Sequence, residues 1–315
     1  MKRLTLLSAL LCTLYIVPLS LQAQVSYTSD TTCYVTVTYS GSSASIVVSS
    51  DIKDYITASV SGGHVTITST ASATFNEISY GLYGTTTDGS FTFNGTYKAT
   101  MELYGVNITN PTGPAINLLC GKRIEISAKS GTESTLTDGT STAVDAWKGA
   151  LYCKGHIQFK GKGTLNVYGN YAHAIKAGEY IEVKNCTINV CSAVKDAINC
   201  NQYFAIESGV INLSGFGDDG IQVDLEANDT SAENTGNFTM TGGTINIDMS
   251  SASGESVKAE GTTSVASEAS LNVSGTTGTE EVQSEAVQSA KMLREGRVLI
   301  LHGDKLYTTI GNEIQ

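Results

Sequence analysis

Ala174-Ile175-Lys176-Ala177, Ala197-Ile198-Asn199-Cys200 and Gly220-Ile221-Gln222-Val223 open three consecutive units, and their spacing decides the fold. The starts lie 23 residues apart twice over (197 − 174 and 220 − 197). The columns between them stay aligned: Ile181 with Phe204, Val183 with Ile206, Ile188 with Ile211, and Val190 with Leu213. Upstream, Ala150-Leu151-Tyr152-Cys153 opens a unit of 24 (174 − 150), with Ile157, Phe159, Leu165 and Val167 in the matching slots. Looser copies begin near Ala115-Ile116 and Ser256-Val257, each beside an insertion. Every unit holds three short stretches in which apolar residues alternate with polar ones, so each strand buries one face. Gly and Asn punctuate the stretches. One such unit cannot bury its own apolar face, whereas stacked units can. The register therefore predicts an all-β, right-handed parallel β-helix in which residues 23 apart are vertical neighbours about 4.8 Å apart. An antiparallel sandwich would account for the strand lengths but not for a constant register in five columns.

The rest of the chain divides around this repeat. Residues 1–23 read as an export signal: Lys2 and Arg3, an apolar stretch from Leu4 to Leu21, then Ala23 before Gln24. That places the mature protein outside the cytoplasm, as a secreted, periplasmic or cell-surface protein of a Gram-negative bacterium. No later segment reaches the roughly 20 apolar residues of a bilayer crossing, so no membrane span is expected after cleavage. Residues 24–80 also alternate and predict a β cap or early coils. The β-helix is expected over 81–275, a linker over 276–290 and a short tail over 291–315. The tail carries two strands around His302-Gly303-Asp304-Lys305, as a hairpin or a sorting segment.

Loss of Lys2 and Arg3 leaves 17 basic residues (19 − 2) against 30 acidic ones, a mature charge of −13. Nucleic acid is excluded as a partner, because its binding needs clustered Lys and Arg. An acidic polysaccharide would be repelled unless a cation bridged the two. That points to calcium, which favours oxygen ligands and is plentiful outside cells. Six Cys remain after Cys12 is removed, and no CxxC pair suggests zinc. Cys153 and Cys200 share an inward column two coil steps apart, about 9.6 Å, beyond disulfide reach.

Stacking turns the register into candidate sites. Asp196 and Asp219 precede equivalent strands and should face each other, with Asp218 beside them and Asp224 just past the strand. Asn199 and Asn201 add neutral oxygens. Several carboxylates and amides with almost no Arg nearby suit a hard cation, so Asp196, Asp218, Asp219, Asp224, Asn199 and Asn201 form the expected calcium set. Asp145 is a weaker candidate. His156, Tyr180 and Tyr203 each sit six residues after their unit's start and flank an inward column, so they point outward. Rings at coil spacing can stack on sugar faces, or can simply pack against one another. Trp147 lies in an insertion and could wall a groove. Lys176 and Lys195 flank the acidic site and complete the candidate carbohydrate-contacting set. No serine elbow or Cys–His motif supports nucleophilic catalysis, so no catalytic residue is assigned.

Several segments together resemble a known family. Gly131-Thr132-Glu133-Ser134-Thr135-Leu136-Thr137-Asp138-Gly139 resembles its GTxNxLxDG signature. Lys148 to Gly155, Gly169 to Ile175, Val194 to Ile198 and Gly217 to Ile221 follow in order. The series is similar to the carbohydrate-binding β-helix family first described from a cellulolytic clostridium, and covers about Gly81 to Gly275. The resemblance implies a pectate-lyase-like fold, bound calcium, and binding of cellulose-like or acidic, polygalacturonate-like plant polysaccharide. Ser134 and Cys153 depart from the family's usual residues. The tail resembles those of secreted Bacteroidales proteins.

The expected function is therefore a calcium-dependent, non-catalytic polysaccharide-binding protein. A calcium-dependent lyase is the alternative, and a surface adhesin the second. A lyase needs a base, often Arg or Lys. Between Ser26 and Gly275 the only Arg is Arg123, leaving Lys176 or Lys195 for that role.

Overall fold

The computed structural model describes residues 25–73 and 77–275, and the backbone of four strands near the C-terminus. The proposed export signal and residues 276–288 of the expected linker lie outside the described residues. The chain forms a parallel β-helix with three strand columns. The first column, one strand per coil, runs Gly89–Gly95, Ile116–Leu118, Gly149–Cys153, His173–Ala177, Ile198–Asn201, Ile221–Asp224 and Val257–Ala259, all parallel. The second runs from Ile78–Thr86 through Ile157–Gly161, Ile181–Val183 and Tyr203–Ile206 to Thr263–Val265. The third runs from Asn107–Thr109 to Ser270–Ser274.

The 23-residue register is the stacking register. Ile175 pairs with Ile198 and Ile198 with Ile221, while Ile181 pairs with Phe204 and Ile188 with Ile211. The looser copies join the same ladder, with Ile116 against Leu151 and Ile221 against Val257. Ile116, Leu151, Ile175, Ile198 and Ile221 are each 1 % exposed or less, so one side-chain column forms a dry aliphatic stack. Burying each such residue contributes about 1.5–3 kcal/mol of transfer free energy. Cys153, Ala177 and Cys200 form the adjoining inward column, and both thiols are buried and free.

The N-terminal residues close one end. Tyr34–Ser40 and Ser43–Ser49 form an antiparallel hairpin, as do Ile56–Ser61 and Gly63–Ser69. Gly41 and Gly62 take φ of 59° and 60° at the tips, a conformation open to glycine. One strand of each hairpin continues a parallel column: Tyr34–Ser40 beside Ile78–Thr86, and Gly63–Ser69 beside Gly89–Gly95. Ile56–Ser61 then ends its column, whereas Ser43–Ser49 is followed by one further parallel strand, Val25–Thr28.

On the outer face of the third column, Asn166, Asn189, Asn212, Asn246 and Asn272 form a ladder. Each amide nitrogen donates to the oxygen of the preceding rung at 2.7–2.8 Å, and Asn166 donates to Glu133. The C-terminal tail has four antiparallel strands in place of the two expected. Ser289–Arg294 pairs with Arg297–His302, which pairs with Lys305–Thr308, and that with Glu313–Ile314. The first begins within the stretch expected as linker. No helix among the described residues is long and apolar enough to cross a membrane.

Candidate functional site

The corner between the first and second columns puts three rings in line. His156 and Tyr180 immediately precede strands that start with the inward residues Ile157 and Ile181, and Tyr203 opens the strand that continues with the inward Phe204. Alternation therefore turns the rings outward. The His156 and Tyr180 centroids are 4.1 Å apart at 20°, and those of Tyr180 and Tyr203 are 4.4 Å apart at 9°. The coil spacing alone enforces such stacking. Tyr203 Oη donates to Glu182 Oε1 at 3.1 Å, and His156 Nδ1 lies beside Glu179 Oε2.

His156 and Tyr180 line an open groove of about 710 Å³. Its floor includes the outward residues Tyr152, Lys176 and Asn201 of the first column. Two insertions flank it, one through Ala146 and the other through Glu226, Asp229, Ser231 and Glu233. The acidic insertion is internally tied: Asn234 accepts from the Glu226 amide at 2.8 Å and donates to the Glu226 and Asp229 carbonyls at 2.9 and 2.7 Å. Gln202 turns the corner at φ 67° and donates through Nε2 to Asp229 Oδ2 at 2.7 Å. Left-handed backbone at a non-glycine residue carries strain of the kind that collects at sites.

Lys176 is partly buried in this floor, and the loss of solvent around it pushes its ammonium pKa down. Its Nζ donates to Asn199 Oδ1, and to Asn201 Oδ1 at 3.2 Å. Those two oxygens were expected on an ion; instead they hold a lysine. Asn199 offers its nitrogen, not its oxygen, to Asp196, at 2.9 Å. Asp224 also leaves the expected ion set. It sits at the far end of its strand, level with Asn201, and accepts from Gln222 Nε2 at 2.8 Å. Trp147 does not line the groove; a turn closed by its N–H to the Val144 carbonyl presents Ala146 there instead. Lys195 is exposed on the turn before Asp196, away from the groove. Its charge helps Lys148 and Tyr171 hold the Asp145 carboxyl below its usual range.

Asp196, Asp218 and Asp219 do come together, with one oxygen from each within 4.8 Å of the others. That separation is about twice a calcium–oxygen bond, so one ion could touch all three, and exposed Asp218 leaves room for water. Asp196 and Asp219 are 1 % exposed. Asp219 Oδ1 accepts from the Glu255 amide at 2.7 Å, and Oδ2 lies 3.2 Å from Lys258 Nζ. His173 Nδ1 is 3.2 Å from Asp196 Oδ2. Burial acts to raise the Asp196 pKa, but hydrogen bonds from His173 and Asn199 outweigh it and hold the group below its usual range. The cluster and the groove occupy opposite edges of one sheet. Asn199 links the two, donating to Asp196 Oδ2 at 2.9 Å while its oxygen accepts from Lys176 in the groove floor.

The sequence reading missed Tyr152, Lys154, Glu179, Gln202, Glu226, Asp229 and Glu233 in the groove lining. Tyr152 was legible, since it pairs with Lys176 in the repeat register. The insertion was not, because Phe204 to Phe238 is a step of 34 that breaks the repeat.

A polysaccharide lyase-like protein from C. thermocellum, solved as a gadolinium derivative, shares this fold. Its TM-score is 0.61 over 76% of this chain and 99% of that one, at 23% identity. No curated protein matches the sequence. A family model described as "Carbohydrate-binding domain-containing protein" matches residues 61–312, four-fifths of the chain. The chain belongs to this carbohydrate-binding domain-containing family.

Proposed function

We propose that the protein is an exported, non-catalytic polysaccharide-binding protein whose binding site is the groove beside His156, Tyr180 and Tyr203. The stacked column of rings carries this reading. Tyrosine offers an apolar face to a sugar ring and a hydroxyl to its edge. The groove is lined from successive coils, by Tyr152, Lys176 and Asn201, which suits a chain rather than a small molecule. Calcium is proposed at Asp196, Asp218 and Asp219, where it would neutralise buried carboxylates and tie adjacent coils. None of the three carboxylates lines the groove, so the ion would act first on stability.

β-Elimination is the second reading, favoured by Lys176, a desolvated amine in the groove floor. Two amide oxygens hold that amine, which works against it as a base. Arg123 is committed to Glu77 and Glu125. Retention on insoluble polysaccharides, run beside absorbance of unsaturated product, tests both. Retention without product is the expected outcome. Product formation would overturn the non-catalytic reading, and neither signal would overturn glycan binding.

A further inference from the structure

The groove's polar groups are mostly acceptors. Glu179, Glu226, Asp229 and Glu233 line it, against Lys154 and the partly buried Lys176. Three of the four carboxylates already have close partners. Glu179 sits beside His156, Glu226 accepts from Asn201 Nδ2, and Asp229 accepts from Gln202 and Ser231. The Glu233 carboxylate meets no hydrogen-bond donor or cation among the described residues, and its charge is felt at Tyr180. A second acceptor is stranded. Gln202 is 8 % exposed, and its Oε1 has no hydrogen-bond partner, although its Nε2 is committed to Asp229. A buried acceptor left unmet is destabilising, so a ligand that supplies a donor recovers that free energy.

We propose that the groove selects glycans bearing free amines, with sugar rings stacked on Tyr180 and Tyr203 and the ammonium received by Glu233 and Gln202 Oε1. This rests on the groove being the glycan site. An ammonium carries three donors and a charge, matching an acceptor-rich wall. A uronate would meet the same wall as a like charge. The wall is preorganised, because Asn234 ties the insertion that carries Glu226, Asp229 and Glu233. Less ordering is then lost on binding.

The test is titration calorimetry of the full chain at mildly acidic pH, where sugar amines are protonated. The probes are four hexasaccharides: glucosamine, N-acetylglucosamine, glucose and galacturonate oligomers. The glucosamine oligomer should bind about tenfold more tightly than its acetylated counterpart, and the preference should shrink with added salt. Glu233→Gln should reduce that preference by at least about threefold. Equal or tighter binding of the neutral or galacturonate oligomers overturns the amine preference and leaves the glycan site standing. Binding of none of the four overturns both.

Discussion

The rings of Tyr180 and Tyr203 lie 4.4 Å apart and 9° from parallel, although 23 residues separate them in the chain. That relationship joins fold and function, since a single register both builds the core and assembles the strip of rings. It is open to a direct covalent test. Vertical neighbours in a parallel stack lie within the Cα spacing a disulfide accepts. The pair Tyr180→Cys with Tyr203→Cys should therefore cross-link under mild oxidation. Tyr180→Cys with Val210→Cys, which belong to different columns, should not. Mass spectrometry of non-reduced peptides reads the result.

The inward ladder should dominate stability. Ile198 is 1 % exposed, with Ile175 and Ile221 directly above and below it. Ile198→Ala should lower the unfolding free energy by about 2–5 kcal/mol. Lys195→Ala, on an exposed turn three residues away, should stay within about 0.5 kcal/mol. Urea denaturation of both variants checks the contrast, and similar midpoints would count against the ladder as the source of stability.

Asp138 is 4 % exposed, and burial pushes its carboxyl up to about 6, against hydrogen bonds from the Asn170 and Tyr171 amides. The folded state then holds this proton more tightly than the unfolded one, whose value is 3.8. Its contribution is present at low pH and is lost as pH rises from about 4 through 6, by roughly 3 kcal/mol in all. Asp138→Asn keeps the acceptor that faces the Asn170 amide and removes the titration. The difference in stability between variant and parent should therefore grow across that window, measured by urea midpoint against pH. A constant difference would contradict the assignment.

The thiols give a simpler reading. Cys120, Cys153, Cys186 and Cys200 are buried and free, while Cys33 and Cys191 are partly exposed. Burial holds Cys186 and Cys200 up at about 12, so thiolate is scarce at neutral pH. A small maleimide should label Cys33 and Cys191 first, and the other four only after denaturation. Rapid native labelling of Cys153 or Cys200 would break the inward column.

If calcium occupies Asp196, Asp218 and Asp219, it should raise the melting temperature reversibly, because a ligand bound only by the folded state stabilises it. Asp218→Asn should weaken that response. A melting temperature indifferent to calcium and chelator would remove the ion from the account.

Much of this was legible in the sequence where the repeat was regular. Ile175, Ile198 and Ile221 gave the coil, and His156, Tyr180 and Tyr203 gave the ring column. Asp196, Asp218 and Asp219 emerged from the same spacing. Where the structure sets expected ligands apart from the acidic cluster, the causes are local. Asn199 and Asn201 lie in the expected place, but the nearest cation is Lys176, one coil over, and it captures their oxygens. Asp224 belongs to the other end of a short strand, a distance that a register argument alone does not see. Glu226, Asp229 and Glu233 were invisible because an insertion interrupts the register, and its shape depends on Asn234 rather than on stacking.

The most direct test of the central claim is the affinity of Tyr180→Ala for a polysaccharide that the parent protein retains, measured with the melting temperature of the same sample. Tyr180 is the middle ring of the column and lines the groove. The account predicts a loss of at least about tenfold in affinity with an almost unchanged fold, in line with the 1–3 kcal/mol typical of a well-packed aromatic contact. A folded Tyr180→Ala protein that binds as tightly as the parent would contradict it.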